Sequence, residues 1–297
     1  MSYVKPDQLI DSIVQAGVDK STLSIGQLLA RGTLAGAILA CATTLALTAT
    51  AQTHLGIVGA VIFPVGFVMI VLLGLELVTG SFALIPLAVL EGKTTVQLML
   101  RNFVFVIIGH LIGCALYAGL YLATVTRMGT DQSDPVIAMI IKIAETKTIG
   151  YEALGASGLA LVFIKAVLCN WMVTLGAVLA FTSTTTGGKI LAMWLPVTMF
   201  FALGFEHAVV NMFVIPAGML LGAHVGFLDW WGWNQLPVLL GNFVGGVTLT
   251  AALLYFSHRT KVARTARPVL GPAVAVETSD ISVAAVEAET SRETVSA

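Results

Sequence analysis

Glu76, Glu206 and His207 are ionisable side chains placed where an apolar sequence offers them no water, each inside a run of mostly hydrophobic residues. At the centre of a bilayer such a group costs at least about 2.5–3.5 kcal/mol on insertion scales, so it is either paired or used. The two glutamates have matching surroundings. Gly74-Leu75-Glu76 is followed by Pro86, and Gly204-Phe205-Glu206 by Pro216, with matched positions 130 residues apart. Repetition suits a scaffold, in which a carboxylate at a helix interruption accepts hydrogen bonds from the backbone N–H groups that the interruption frees. His207 has no twin, because the residue after Glu76 is Leu77. Only one of the two places carries an imidazole, whose ordinary titration near pH 6.5 suits it to take up and release a proton. A lone buried histidine in a soluble core is most often structural. At an intramembrane interruption, proton donation to a passing solute is the stronger reading.

Other polar groups fall in the same runs. Thr79, flanked by Gly80, can present a hydroxyl to His207 or to an anion, or bond back to its own helix. Asn170 carries an amide that is costly to bury unpaired, and His207 is its expected partner. Phe67, Phe200, Phe201 and Phe205 surround the interruptions and read either as constrictions of a pore or as packing aromatics. Cys41, Cys114 and Cys169 lie in apolar stretches without Cys-x-x-Cys spacing, which leaves no disulfide framework or metal site and makes them small buried packing residues. No cofactor, metal or nucleic-acid partner is expected.

The elements that position these residues follow from composition. The chain is 57% hydrophobic and 10% charged, with mean hydropathy +0.94, against about 25% charged for soluble domains. Its 297 residues divide into apolar segments at about 32–53, 55–90, 98–123, 154–182, 190–223 and 236–257, each able to cover a hydrocarbon core of about 30 Å. Segments two and five are too long, since 34 helical residues reach about 51 Å at roughly 1.5 Å each; the Gly-x-Glu motifs are where they break. Asn102-Phe103-Val104 in segment three is echoed by Asn242-Phe243-Val244 in segment six. The expected fold is an all-α integral membrane protein of six transmembrane helices, arranged as two inverted three-helix repeats at about 27–126 and 154–260. Half-helices starting at the breaks point the positive ends of their dipoles inward, which favours a small anion.

Residues 1–26 show no signal peptide; Leu9, Ile10, Ile13, Val14 and Val18 repeat at helical spacing, as in an amphipathic helix lying near the membrane surface. Residues 27–260 form the transmembrane domain, and 261–297 a basic flank followed by a disordered acidic tail. Ten Lys and Arg on one side (Lys5, Lys20, Arg31, Lys93, Arg101, Lys189 and, in the C-terminal flank, Arg259, Lys261, Arg264 and Arg267) against Arg127, Lys142 and Lys147 on the other place both termini on the cytoplasmic side of a cell membrane.

Three stretches resemble the signatures of the formate/nitrite transporter family: Gly74-Leu75-Glu76-Leu77-Val78-Thr79-Gly80, Cys169-Asn170-Trp171-Met172-Val173, and Gly204-Phe205-Glu206-His207-Ala208-Val209-Val210-Asn211-Met212-Phe213. The resemblance spans about residues 1–260. It implies an aquaporin-like protomer, a homopentamer, and a pore within each protomer. On it, His207 is the central histidine, Thr79 the loop threonine and Asn170 the supporting asparagine of one hydrogen-bonded group, with Glu76, Glu206 and Asn211 structural. The constrictions fall on Phe67, Phe200 and Val78; many members carry a larger side chain at the last, which bears on pore width. The vestibule lysine is Lys147; Lys165 either snorkels to an interface or pairs with a carboxylate. The implied activity is transport of small monovalent anions of weak acids, formate or nitrite or a relative, with protons and His207 as donor. A neutral-solute channel is the nearest alternative, but its paired Asn-Pro-Ala motifs are missing. An intramembrane serine protease using Gly155-Ala156-Ser157-Gly158 and Ala223-His224 ignores the repeat; no enzyme is expected.

Overall fold

A computed structural model describes residues 3–258. The expected tail at 261–297 lies outside them. The described residues are helical, apart from an isolated bridge between Tyr3 and Ser183.

Helix α1 (Pro6–Thr22) starts on a proline, whose missing N–H suits a first helical position. Its apolar stripe, Leu9, Ile10, Ile13 and Val14, is buried against Ala83, Leu84, Leu87 and Ala88. The stripe that the sequence laid on the lipid surface is thus covered by the protein itself. Helix α2 (Ile25–Thr53) opens with a reciprocal capping box between Ser24 and Gln27. Then come α3 (Gly56–Leu72) and α4 (Val78–Leu90), the two halves of the over-long second segment, and α5 (Val96–Val125). The second copy repeats the order: α6 (Pro135–Lys147), a short turn α7 (Ile149–Glu152), α8 (Ala156–Thr182), the halves α9 (Thr186–Ala202) and α10 (Ala208–Leu220), and α11 (Phe227–His258). Four helices, α2, α5, α8 and α11, are long and apolar enough to cross a membrane; the four half-length ones are apolar but shorter.

Both interruptions are built identically. Gly74 and Gly204 each have φ of +63°, a left-handed conformation open to glycine at no steric cost. The amides bond back in the 5→2 and 6→1 pattern of a Schellman motif: Gly74 to Val71 and Leu75 to Ile70, Gly204 to Phe201 and Phe205 to Phe200, all at 3.0–3.1 Å. The chain then turns through extended residues and starts a new helix, nearly every residue of which is buried.

Close approach of the long helices rests on glycine. A Cβ on Gly109 or Gly113 of α5 would collide with α2 backbone at Leu29–Thr33, and one on Gly241 or Gly245 of α11 with α8 backbone at Phe163–Val167. These pairs are 132 residues apart, which corrects the register expected from the Asn-Phe-Val echo at 140. Helix α11 contains two π-helical stretches, Trp231–Gln235 and Gly245–Ala252, where α5 is continuous. The same 132-residue register pairs Asn102 with Asn234, which donate to the Lys20 and Lys147 carbonyls and to Glu76 and Glu206 respectively, so the Asn-Phe-Val echo is a likeness of sequence and not of position. One further correction concerns Cys41, read as buried: it is exposed on the outer face of α2 in line with Leu34 and Leu45.

Candidate functional site

His207 is the N-cap of α10. Its extended backbone (φ −109°, ψ 118°) turns the ring back over the helix start, where Nδ1 accepts the Val210 N–H at 3.3 Å. An acceptor at Nδ1 fixes the tautomer, so the neutral ring carries its proton on Nε2. Nε2 lies 3.1 Å from Thr79 Oγ1, at the start of α4 in the other copy. The N–H therefore donates to the threonine, whose own hydroxyl hydrogen is left to donate onward. Both side chains are buried, and Phe200 stacks on the imidazole at 5.4 Å between centroids. The positive ends of α4 and α10 consequently meet at one hydrogen-bonded pair in apolar surroundings.

Asn170 does not reach His207. Its Nδ2 donates to the backbone carbonyls of Thr79 (3.1 Å) and Asn242 (2.6 Å), which uses both amide hydrogens. The correction is physical: two carbonyls near the breaks need donors, and Asn170 ties the Thr79 segment to α11 instead of supporting the imidazole.

The freed amides at the helix starts do not go to the glutamates either. Val78 N–H donates to His110 Nε2 (3.1 Å), and Ala208 N–H to Asn242 Oδ1 (2.9 Å). Behind them His110 Nδ1–H donates to the Gly32 carbonyl (2.8 Å) and Asn242 Nδ2 to that of Ala166 (2.8 Å). His110 and Asn242 are thus one position in two copies. His110 is missing from the site expected from sequence, although an imidazole inside segment three raises the same question as His207.

Side chains, not backbone amides, satisfy the glutamates. Glu76 takes Lys20 at 2.8 Å and Asn102 at 3.3 Å. Glu206 takes Lys147 at 2.7 Å, Tyr151 Oη at 2.7 Å, Asn211 at 2.8 Å and Asn234 at 3.4 Å. The lysines come from the last turns of α1 and α6, helices that the sequence did not include in the repeat. Nothing in the sequence joins Lys20 to Glu76 beyond the shared need of a buried charge for a counter-charge.

Two cavities flank the Thr79–His207 pair. One, of about 510 Å³, is lined by Lys20, Glu76, Leu77, Gly80 and Phe67 among others; the second, of about 270 Å³, by Lys147, Glu206, His207, Phe200 and Val210 among others. They lie towards opposite ends of the helices: Arg31 of α2 lines the first and Thr43 and Leu47 the second, while Ala177 of α8 lines the first and Lys165 the second. Formal charges sum to +1 in each, from Lys20, Arg31 and Lys189 against Asp19 and Glu76, and from Lys147 and Lys165 against Glu206. Val78, expected at a constriction, is fully buried and lines neither cavity.

The profile described as "Formate/nitrite transporter" matches residues 7–256. A curated relative, the formate channel BtFdhC of Bacillus thuringiensis, is 30% identical over 252 residues, covering 83% of this chain and 92% of the relative. Among solved structures, an "FNT family ion channel" superposes with a TM-score of 0.70 at 25% identity, covering 84% of this chain and 98% of the other. A "Pentameric formate channel with formate bound" superposes with a TM-score of 0.65 at 23% identity over 78% of this chain and 96% of the other, a likeness of fold.

Proposed function

The chain belongs to the formate/nitrite transporter family, whose matched relatives are transporters and channels and not enzymes, and on that premise we propose that it carries small monovalent anions of weak acids, formate or nitrite, across a cell membrane together with protons. The observation that carries the reading is the Thr79–His207 hydrogen bond, buried between two cavities where two half-helices begin. Six crossing segments, two of them broken, form the domain at 27–260, with both termini cytoplasmic. Five such protomers assemble around an axis, each with its own pore, a reading supported by the likeness of fold to a formate channel that is itself pentameric.

An anion drawn into either positively charged cavity passes an aromatic constriction, Phe67 or Phe200, that strips its water. At the centre it accepts the Thr79 hydroxyl hydrogen, and the dipole ends of α4 and α10 favour its charge. When the imidazole holds a second proton, Nε2–H passes its proton to Thr79 Oγ1 as the hydroxyl proton moves to the anion. This leaves a neutral imidazole and a neutral acid, which crosses the second constriction and ionises in water beyond. Protonation at Nδ1 displaces the Val210 N–H from its acceptor, so the doubly protonated ring holds its extra proton only by giving up the helix cap. Glu76, Glu206 and Asn211 hold the frame in which this occurs.

The test is anion uptake into proteoliposomes over a pH series, with and without His207→Ala. We expect at least a tenfold loss of flux and a changed pH profile; unchanged flux and profile remove His207 from the mechanism.

A further inference from the structure

The five cations of the two cavities are not equivalent. Lys20 and Lys147 are bonded to Glu76 and Glu206 at 2.8 and 2.7 Å, and their charges are compensated where they stand. Lys165 is placed differently. It is the one charged residue of α8, projecting from the helix interior into the cavity that holds His207. Among the described residues no carboxylate lies within 4 Å of its ammonium group; its contact is the face of the Tyr151 ring, 5.9 Å away. The backbone ties it to the second break, because its carbonyl accepts the Glu206 N–H at 3.4 Å. A cation–π contact offsets only part of the desolvation of an ammonium ion, so α8 carries an incompletely compensated cation at the level of the break.

The internal repeat makes the same assignment a second time. The hydrogen bonds that equate Gly32 with Ala166, and the close approaches that equate Thr33 with Val167, set a register of 134 residues between α2 and α8. In that register Lys165 pairs with Arg31. Arg31 lines the opposite cavity, has no carboxylate within 4 Å among the described residues, and donates to the carbonyl of Gly74, the left-handed glycine of the first break, at 3.3 Å. Each cavity therefore has one cation locked into the scaffold and one equivalent cation left over. In the first cavity Lys189 and Asp19 add one further charge of each sign.

We propose that Lys165 is the residue that captures a small carboxylate or nitrite-like anion in front of His207, that Arg31 does the same at the opposite mouth, and that Lys147 and Lys20 belong to the scaffold. The proposal rests on the anion-transport reading and assigns its charge selection. A capture residue at one mouth acts on anions arriving from that side, whereas a structural residue alters both directions alike.

The experiment uses the full chain in proteoliposomes of one orientation, with initial rates of formate movement measured in both directions. For Lys165→Met, the half-saturating formate concentration rises roughly five- to tenfold from the His207 side. The maximal rate stays within about twofold, and the opposite direction is unchanged. Salt shrinks the difference, since screening shortens from about 10 Å at 0.1 M to 3 Å at 1 M. Lys165→Arg restores the original value. Arg31→Met gives the mirror result, reduced by the remaining Lys189. Lys165→Gln guards against an effect of side-chain shape, and the amount and oligomeric size of each variant are measured alongside. A shift equal in both directions, or no shift in an active protein, overturns the assignment. An unsubstituted protein that moves neither formate nor nitrite overturns the transport reading, and this inference with it.

Discussion

Leu77 and His207 occupy the same backbone position in the two copies, with φ of −120° and −109° and ψ of 113° and 118°, so the side chain alone separates them. The imidazole reaches Thr79, which gives the threonine hydroxyl a donor behind it and leaves its own hydrogen unused by that contact. Thr79→Val keeps the shape and removes the hydroxyl on which the proposed proton transfer depends; we expect formate flux to fall at least tenfold with assembly intact, while Thr79→Ser retains most of it. His110 tests a different role, because Asn242 does the same capping with an amide. His110→Asn should keep both flux and thermal stability near the original, and His110→Leu, which leaves the Val78 N–H buried and unpaired, should lower stability by about 1–3 kcal/mol. Full flux and an unshifted melting temperature in His110→Leu would contradict the capping role. At this scale the sequence was most legible where a polar type interrupted an apolar run: Thr79, His207 and both glutamates stood out for that reason. It was silent on partners. Lys20 lies 56 residues from Glu76, and Asn170 bonds backbone carbonyls that carry no signature of their own.

At the scale of the element, each broken segment is a pair of half-helices joined through one left-handed glycine. An L-residue in that conformation costs roughly 1–2 kcal/mol, and a Cβ at Gly74 or Gly204 meets nothing within 4 Å, so backbone conformation is the whole penalty. Gly74→Ala and Gly204→Ala are therefore expected to destabilise by about that amount and by similar amounts, read as detergent-solubilised melting shifts; a large difference between them would show that the breaks are not equivalent. Gly113→Leu is harsher, since the side chain would have to enter the α2 backbone at Thr33, and folded protein should not be recovered. The breaks were visible in the sequence because length and glycine pointed to the same position. The register of α11 was not. The position equivalent to Asn102 is Asn234, which makes the same bonds, and a tripeptide that recurs eight residues further on carries no information about which asparagine meets the glutamate. The pairing of α1 with α6 was equally hidden, because surface-like amphipathicity does not say whether lipid or protein covers the stripe.

Across the whole molecule, the two cavities carry the same formal charge and share repeated parts, a lysine–glutamate pair and a second cation in each, although they differ in volume and the group between them is not repeated. A scaffold of this kind imposes no direction; direction comes from the gradients on either side. If every anion crosses with the proton it receives at the Thr79–His207 pair, the moving species is neutral, and a membrane potential does no work on it. Formate accumulation in proteoliposomes should then follow the pH difference, about tenfold per unit. A potassium diffusion potential imposed with valinomycin should leave it unchanged, and lumenal acidification should match formate influx one for one. Accumulation that follows the imposed voltage instead would mean that the anion crosses in its charged form, with the imidazole serving as a hydrogen-bond donor and never releasing its proton.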